Sequence, residues 1–139
     1  MPSDDPQEIW EEYYRNKKSQ RLEEAKILCE QLQNAGVTEE TVIALDFVHF
    51  SKSRENAQSL AEQLSENYAT EIVAGEDEFW YINGTSRPYG LTLSSEQHIG
   101  WVEFMADVAQ SHACVFSTWS LEVPSLKLKL SSESIASAS

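Results

Sequence analysis

The sequence predicts an α+β fold, and three observations carry the prediction. Residues 41–50, TVIALDFVHF, are β-branched, aromatic and apolar enough for a central strand. Two later stretches, within residues 51–67 and 94–112, hold apolar side chains at helical spacing. Between those helices lie two short strand-like runs split by Gly75-Glu76-Asp77, a hairpin signal.

The elements follow in order. Ser3-Asp4-Asp5-Pro6 reads as a helix start, with a capping side chain before a first-turn proline. That helix extends to about Ala35, either continuous or broken at Asn16-Lys17-Lys18-Ser19, and Gly36 suits its C′ position. Leu22, Ala25, Leu28, Cys29 and Leu32 form its apolar face, while Ile9, Trp10, Tyr13 and Tyr14 either dock on the domain or project as an arm. After the strand at Thr41–Phe50, Ser51 or Ser53 caps a helix whose stripe is Ala57, Leu60, Ala61 and Leu64, with Asn67 at its exit. Strands are expected at Tyr68–Ala74 and Glu78–Asn83, then a loop over 84–92 signalled by Asn83-Gly84, Pro88 and Gly90. Ser94 and Gln97 form a capping box that opens a helix through about His112, with Ile99, Val102, Met105, Val108 and Ala109 on one face. Ala113–Val123 is the last core strand. Leu126, Leu128 and Leu130, alternating with Lys127 and Lys129, suit a lysine-protected edge strand. SSESIASAS is low in complexity and reads as disordered.

The core order is thus β-α-β-β-α-β after an N-terminal helix. That order predicts a ferredoxin-like antiparallel sheet with two helices on one face. The expected organisation is an N-terminal helical extension over 1–36, an α+β domain over 37–124, and an edge strand with a flexible tail over 125–139.

Composition narrows the function classes. The chain has 139 residues, 41% of them hydrophobic, which fits one core. No apolar run approaches the roughly 20 residues of a membrane span, and the acidic N-terminus lacks a signal-peptide core. A cytoplasmic location, bacterial or eukaryotic, is expected. Net charge is −13, and residues 36–93 alone carry 10 acids against 3 bases. Such a segment argues against direct nucleic-acid binding, which needs basic neutralisation. It suits either plain solubility or a basic protein partner.

Catalytic and metal signals are weak. Asp46 and His49 lie three apart on a strand, hence on opposite faces, and cannot form a dyad. His49 is expected at the surface or at a strand end. His112 and Cys114 share spacing two, but His112 belongs at a helix end and Cys114 in the core, with no oxyanion-forming stretch nearby. The three histidines and two cysteines show no paired ligand spacing, so no metal is expected. No glycine-rich phosphate loop occurs and no cofactor is expected. Phe79, Trp80 and Tyr81 stand consecutively, so at least one leaves the core side. They serve packing against the N-terminal helix, a protein contact, or base stacking; the adjacent acids disfavour the last.

From about Leu28 to Val123 the chain resembles the family of regulator of ribonuclease activity B, the RraB-like inhibitors of RNase E. The residues that carry the resemblance are a helix ending LQNAG and the strand ALDFVHF running through Ser51 into a helix with Ala57, Leu60 and Leu64. Asn67-Tyr68 stands where relatives have Gly-Tyr, and Trp119 in CVFSTWSLEV where they have a D-G-W-G-like stretch. Ser117-Thr118-Trp119-Ser120 lacks that aspartate and those glycines, and SLKLKLSSESIASAS replaces the acidic tail of the best-known members. The resemblance implies a ferredoxin-like, non-enzymatic regulator that binds the basic scaffold part of RNase E and reduces RNA cleavage. The expected contact residues are Glu71, Glu76, Asp77 and Glu78, with Trp80 or Trp119 as anchors. The alternative is a small-ligand-binding regulatory module acting as a dimer.

Overall fold

The computed structural model describes residues 6–87 and 90–133. The expected cap at Ser3-Asp4-Asp5, the loop residue Pro88 and the tail from Ser134 lie outside them. The elements are α1 (Pro6–Asn34), β1 (Ala44–Ser51), α2 (Arg54–Leu64), β2 (Ala69–Ala74), β3 (Trp80–Thr85), α3 (Ser95–Ser111), β4 (Val115–Val123) and β5 (Leu128–Ser131), with a single 3₁₀ turn at Pro124–Leu126. The protein is α+β: among the described residues, α1, α2 and α3 accompany one five-stranded sheet, ordered β2-β3-β1-β4-β5 and antiparallel throughout. Among the described residues, no helix is long and apolar enough to cross a membrane.

Local signals set the helix ends. Ser53, not Ser51, caps α2 by accepting from the Asn56 amide, while Ser51 bonds the Ala113 carbonyl. The Ser94–Gln97 capping box is complete in both directions. Gly36 takes a left-handed φ of 93°, and the Val37 amide bonds the Leu32 carbonyl while the Gly36 amide bonds Gln33. This is a Schellman closure, and only glycine enters it without strain.

α1 is continuous through Asn16–Ser19. Lys18 is held there by Asp107 at 2.9 Å and Glu103 at 3.6 Å, a tertiary support from α3. Its buried stripe is Arg21, Glu24, Ala25, Leu28, Cys29 and Leu32, so the second half of α1 belongs to the core. Arg21 bonds both Glu24 oxygens and the Phe116 carbonyl, which satisfies the two charges in that stripe.

The sheet uses its two faces differently. Leu45, Phe47 and His49 of β1, Ile82 of β3, and Phe116, Trp119, Leu121 and Val123 of β4 are buried under the helices. Asp46, Val48 and Phe50 point to the other face, away from the core that α1, α2 and α3 cover. A bulge leaves Ser117 unpaired, because Val48 faces Thr118 and His49 faces Phe116. Asn83-Gly84, expected as a turn, lies inside β3. A Cβ at Gly84 would overlap the Phe47 ring, so the glycine makes room for the core rather than bending the chain.

The structure corrects the expectation for His49. Its exposure is 0%, and its ring lies 5.0 Å from that of Phe116 and 5.5 Å from that of Phe47. Period two separates Asp46 from His49 as expected, but the face that receives His49 is the covered one.

Candidate protein-binding face

The uncovered face is built row by row from the antiparallel register. Ala69, Thr85, Asp46, Ser120 and Ser131 lie across all five strands in one row. Glu71, Asn83, Val48 and Thr118 form the next. Val73, Tyr81 and Phe50 form the third. The first two rows, with Lys129 and Glu133, line a shallow depression of about 930 Å³. Hydroxyl, amide and carboxylate groups share its wall with Val48 and Ala69, so it offers hydrogen bonds and charge alongside apolar contact.

Arg87 reaches over this face, 3.5 Å from Asp46 and in a short bond with Glu122. The hydrogen bond to Glu122, and then the charge and hydrogen bond of Asp46, raise the guanidinium's already high pKa. Lys129 stands opposite Glu122 on β5. Glu71 and Glu133 remain in excess over these bases, so the face is net acidic.

Glu71, Glu76, Asp77 and Glu78 are all exposed. Glu71 lies on β2, and the other three fill the turn between β2 and β3, so the fold gathers all four on one hairpin. The Tyr81 hydroxyl bonds the Asp77 carboxylate, which holds Asp77 below the usual carboxylate range and raises the Tyr81 phenol. Glu78 has a left-handed φ of 70°, which turns the chain and delays β3 to Trp80.

The two tryptophans lie elsewhere. Trp80 is half-buried on the helix-covered face, with the Arg54 guanidinium 5.3 Å from its ring. Trp119 is 1% exposed and stacks on Phe116 at 5.3 Å. The core takes it, which removes it as a surface anchor. The Phe79-Trp80-Tyr81 run does not pack on α1. Its ring partners are Phe50 for Phe79 and Tyr81, with Lys52 over Phe79.

A second arrangement joins residues far apart in sequence. Cys29 Sγ lies 3.3 Å from His98 Nδ1, and Trp119 Nε1 donates to His98 Nε2 at 3.0 Å. The indole can only donate, so Nε2 accepts, and a neutral His98 carries its proton on Nδ1. That proton points at the Cys29 sulfur, whose own hydrogen faces the Ser95 carbonyl at 3.8 Å. Burial lowers the His98 pKa to about 4 and pushes the Cys29 thiol up. The pair lines a cleft of about 490 Å³ between α1, α3 and the end of the sheet. Extending the α3 stripe back from Val102 and Met105 by helical spacing would have placed His98 inward; its pairing with Cys29 has no local signal.

The pair singled out by spacing separates. His112 Nε2 bonds Gln63 at 2.6 Å, and the fully buried Cys114 faces the Asn56 and His112 carbonyls. Burial raises the Cys114 thiol, away from the thiolate a nucleophile needs. Both cysteines are free. Among the described residues, no three His, Cys, Asp or Glu side chains converge as a metal site. No family model matches the chain, and no curated protein matches it.

Proposed function

We propose that this protein is a non-enzymatic, acidic protein-binding regulator that docks a basic segment of its partner on the uncovered sheet face and the adjoining hairpin. The carrying observation is that face: turned away from α1, α2 and α3, net acidic, and continuous through Glu71 with the acids at positions 76–78. A cationic segment there would meet carboxylates and hydroxyls, with Arg87 held by Asp46 and Glu122. We read the order β2-β3-β1-β4, with α2 and α3 as the connecting helices, as ferredoxin-like, with α1 and β5 as additions. The specific form of the reading is RraB-like: a cytoplasmic regulator that occupies the basic scaffold segment of an RNase E-type enzyme and lowers RNA cleavage by steric interference.

The test is capture of that scaffold segment, or of another basic RNA-binding protein, by the wild-type chain and by a triple variant, Glu76→Lys, Asp77→Lys, Glu78→Lys. The variant is expected to lose capture while its circular dichroism and Tm stay unchanged. Equal capture by both proteins overturns acidic docking. Cleavage by RNase E that is unaffected by the wild-type protein overturns the ribonuclease form alone.

A small-ligand module has one supporting observation, the cleft beside Cys29 and His98. It predicts a thermal shift with one metabolite and a dimer by light scattering.

A further inference from the structure

Resting on the acidic-docking reading, we propose that the basic segment binds as an extended strand added to the free edge of β2. Among the described residues the sheet has two edges, β2 and β5. β5 is four residues long and carries Lys129, with Lys127 beside it, the usual lysine protection of an edge and a repulsion for a basic peptide. β2, ATEIVA, has no lysine, arginine or proline, and its one charge is Glu71.

The hydrogen-bonding phase of that edge follows from two bonds. The Gly75 amide bonds the Phe79 carbonyl, and the Ser86 amide bonds the Leu45 carbonyl. Bonded pairs alternate along an antiparallel ladder. Ala69, Glu71 and Val73 therefore direct their backbone groups to β3, while Thr70, Ile72 and Ala74 direct theirs outward. Among the described residues, none of those three has another backbone partner. Their side chains point to the helix-covered side, where the Thr70 hydroxyl bonds the Ala61 carbonyl. Glu71 and Val73 point to the open face.

An added strand would thus place alternate side chains beside Glu71 on the acidic face and the others beside Thr70, Ile72 and Ala74. The segment that fits has lysine or arginine at every second position and small or apolar residues between. A second copy of this chain fits poorly. Two such chains would each bring a net charge of −13, so their association at this edge is opposed by charge.

The experiment uses the whole chain and a capped seven-residue peptide alternating lysine and valine. Two further peptides are N-methylated on one or the other set of alternate amides, leaving the charge unchanged. Binding is followed by calorimetry at low salt and by amide exchange. The expected result is protection of the Thr70, Ile72 and Ala74 amides, together with an affinity loss of about tenfold for one N-methylated peptide and little change for the other. Glu71→Lys should weaken binding by up to about fivefold. Equal binding of both N-methylated peptides, without protection at these amides, overturns strand addition and leaves acidic docking standing. No binding of the unmodified peptide overturns both. Protection of the same amides without peptide, with a dimer mass in solution, shows the edge held by a second copy and overturns the proposal.

Discussion

Replacing His49 with leucine should stabilise the protein, and more so in acid. The ring is fully buried among Phe47, Phe116 and Ile82, and neither nitrogen has a protein partner among the described residues. A buried polar group without a hydrogen bond costs about 1–3 kcal/mol, and leucine has a similar volume without one. His49→Leu is therefore expected to gain about 1–3 kcal/mol at neutral pH. Burial also lowers the His49 pKa from 6.5 to about 3. As pH falls, the unfolded chain takes up that proton first, so stability is full above 6.5 and is lost as pH falls toward 3. Between about pH 7.5 and pH 5 the loss from this one group is about 2 kcal/mol. His98, with a pKa of about 4, contributes a similar loss over the same interval. The wild-type protein should thus lose about 4 kcal/mol from His49 and His98 together, and the variant about half of that. Urea titrations at the two pH values, read as midpoint and slope, measure both effects. A variant that is less stable at both pH values, or that keeps the wild-type pH dependence, would refute the reasoning.

Gly84→Ala should destabilise by about 1–3 kcal/mol or more, because the added Cβ overlaps the Phe47 ring in a filled core; an unchanged Tm would contradict the packing. Arg21→Met should cost about 3–5 kcal/mol by leaving the buried Glu24 carboxylate unpaired. Adding Glu24→Leu should recover most of that loss in urea titrations, and a double variant as unstable as the single one would show that the ion pair is not the cause. Cys29 and Cys114 should react with Ellman's reagent far more slowly in the folded protein than in guanidinium, since burial raises both thiols. Rapid labelling of the folded chain at neutral pH would overturn that assignment.

The elements that were legible are those whose cause is local. The Ser94–Gln97 box, the Ser53 cap and the Gly36 closure depend on bonds spanning a few residues, and the structure forms each of them. The stripes at Ala57–Leu64 and Val102–Ala109 depend on the helical repeat, and the same residues are buried. The turn at Gly75-Glu76-Asp77 was legible too, because its hairpin signal is local and its acids are exposed. The misplaced features have distant causes. Asn83-Gly84 carries a turn signature, yet Gly84 is needed under a ring from another strand. Asn16–Ser19 looks like a break, yet α3 supplies carboxylates to hold it.

By itself the sequence determined the order of elements, the N-terminal cap of α3, and the rule that Asp46 and His49 part company across the sheet. Side-chain alternation and the helical repeat are properties of the backbone, so they can be read without a fold. Only the tertiary structure decided which sheet face the helices cover. That choice buries His49 and Trp119 and leaves Asp46 and Glu71 on the open side. It also joins Cys29, His98 and Trp119 through bonds that no spacing announces. Period two says that neighbours differ; the burial of apolar area, summed over the whole chain, decides which of them goes inside.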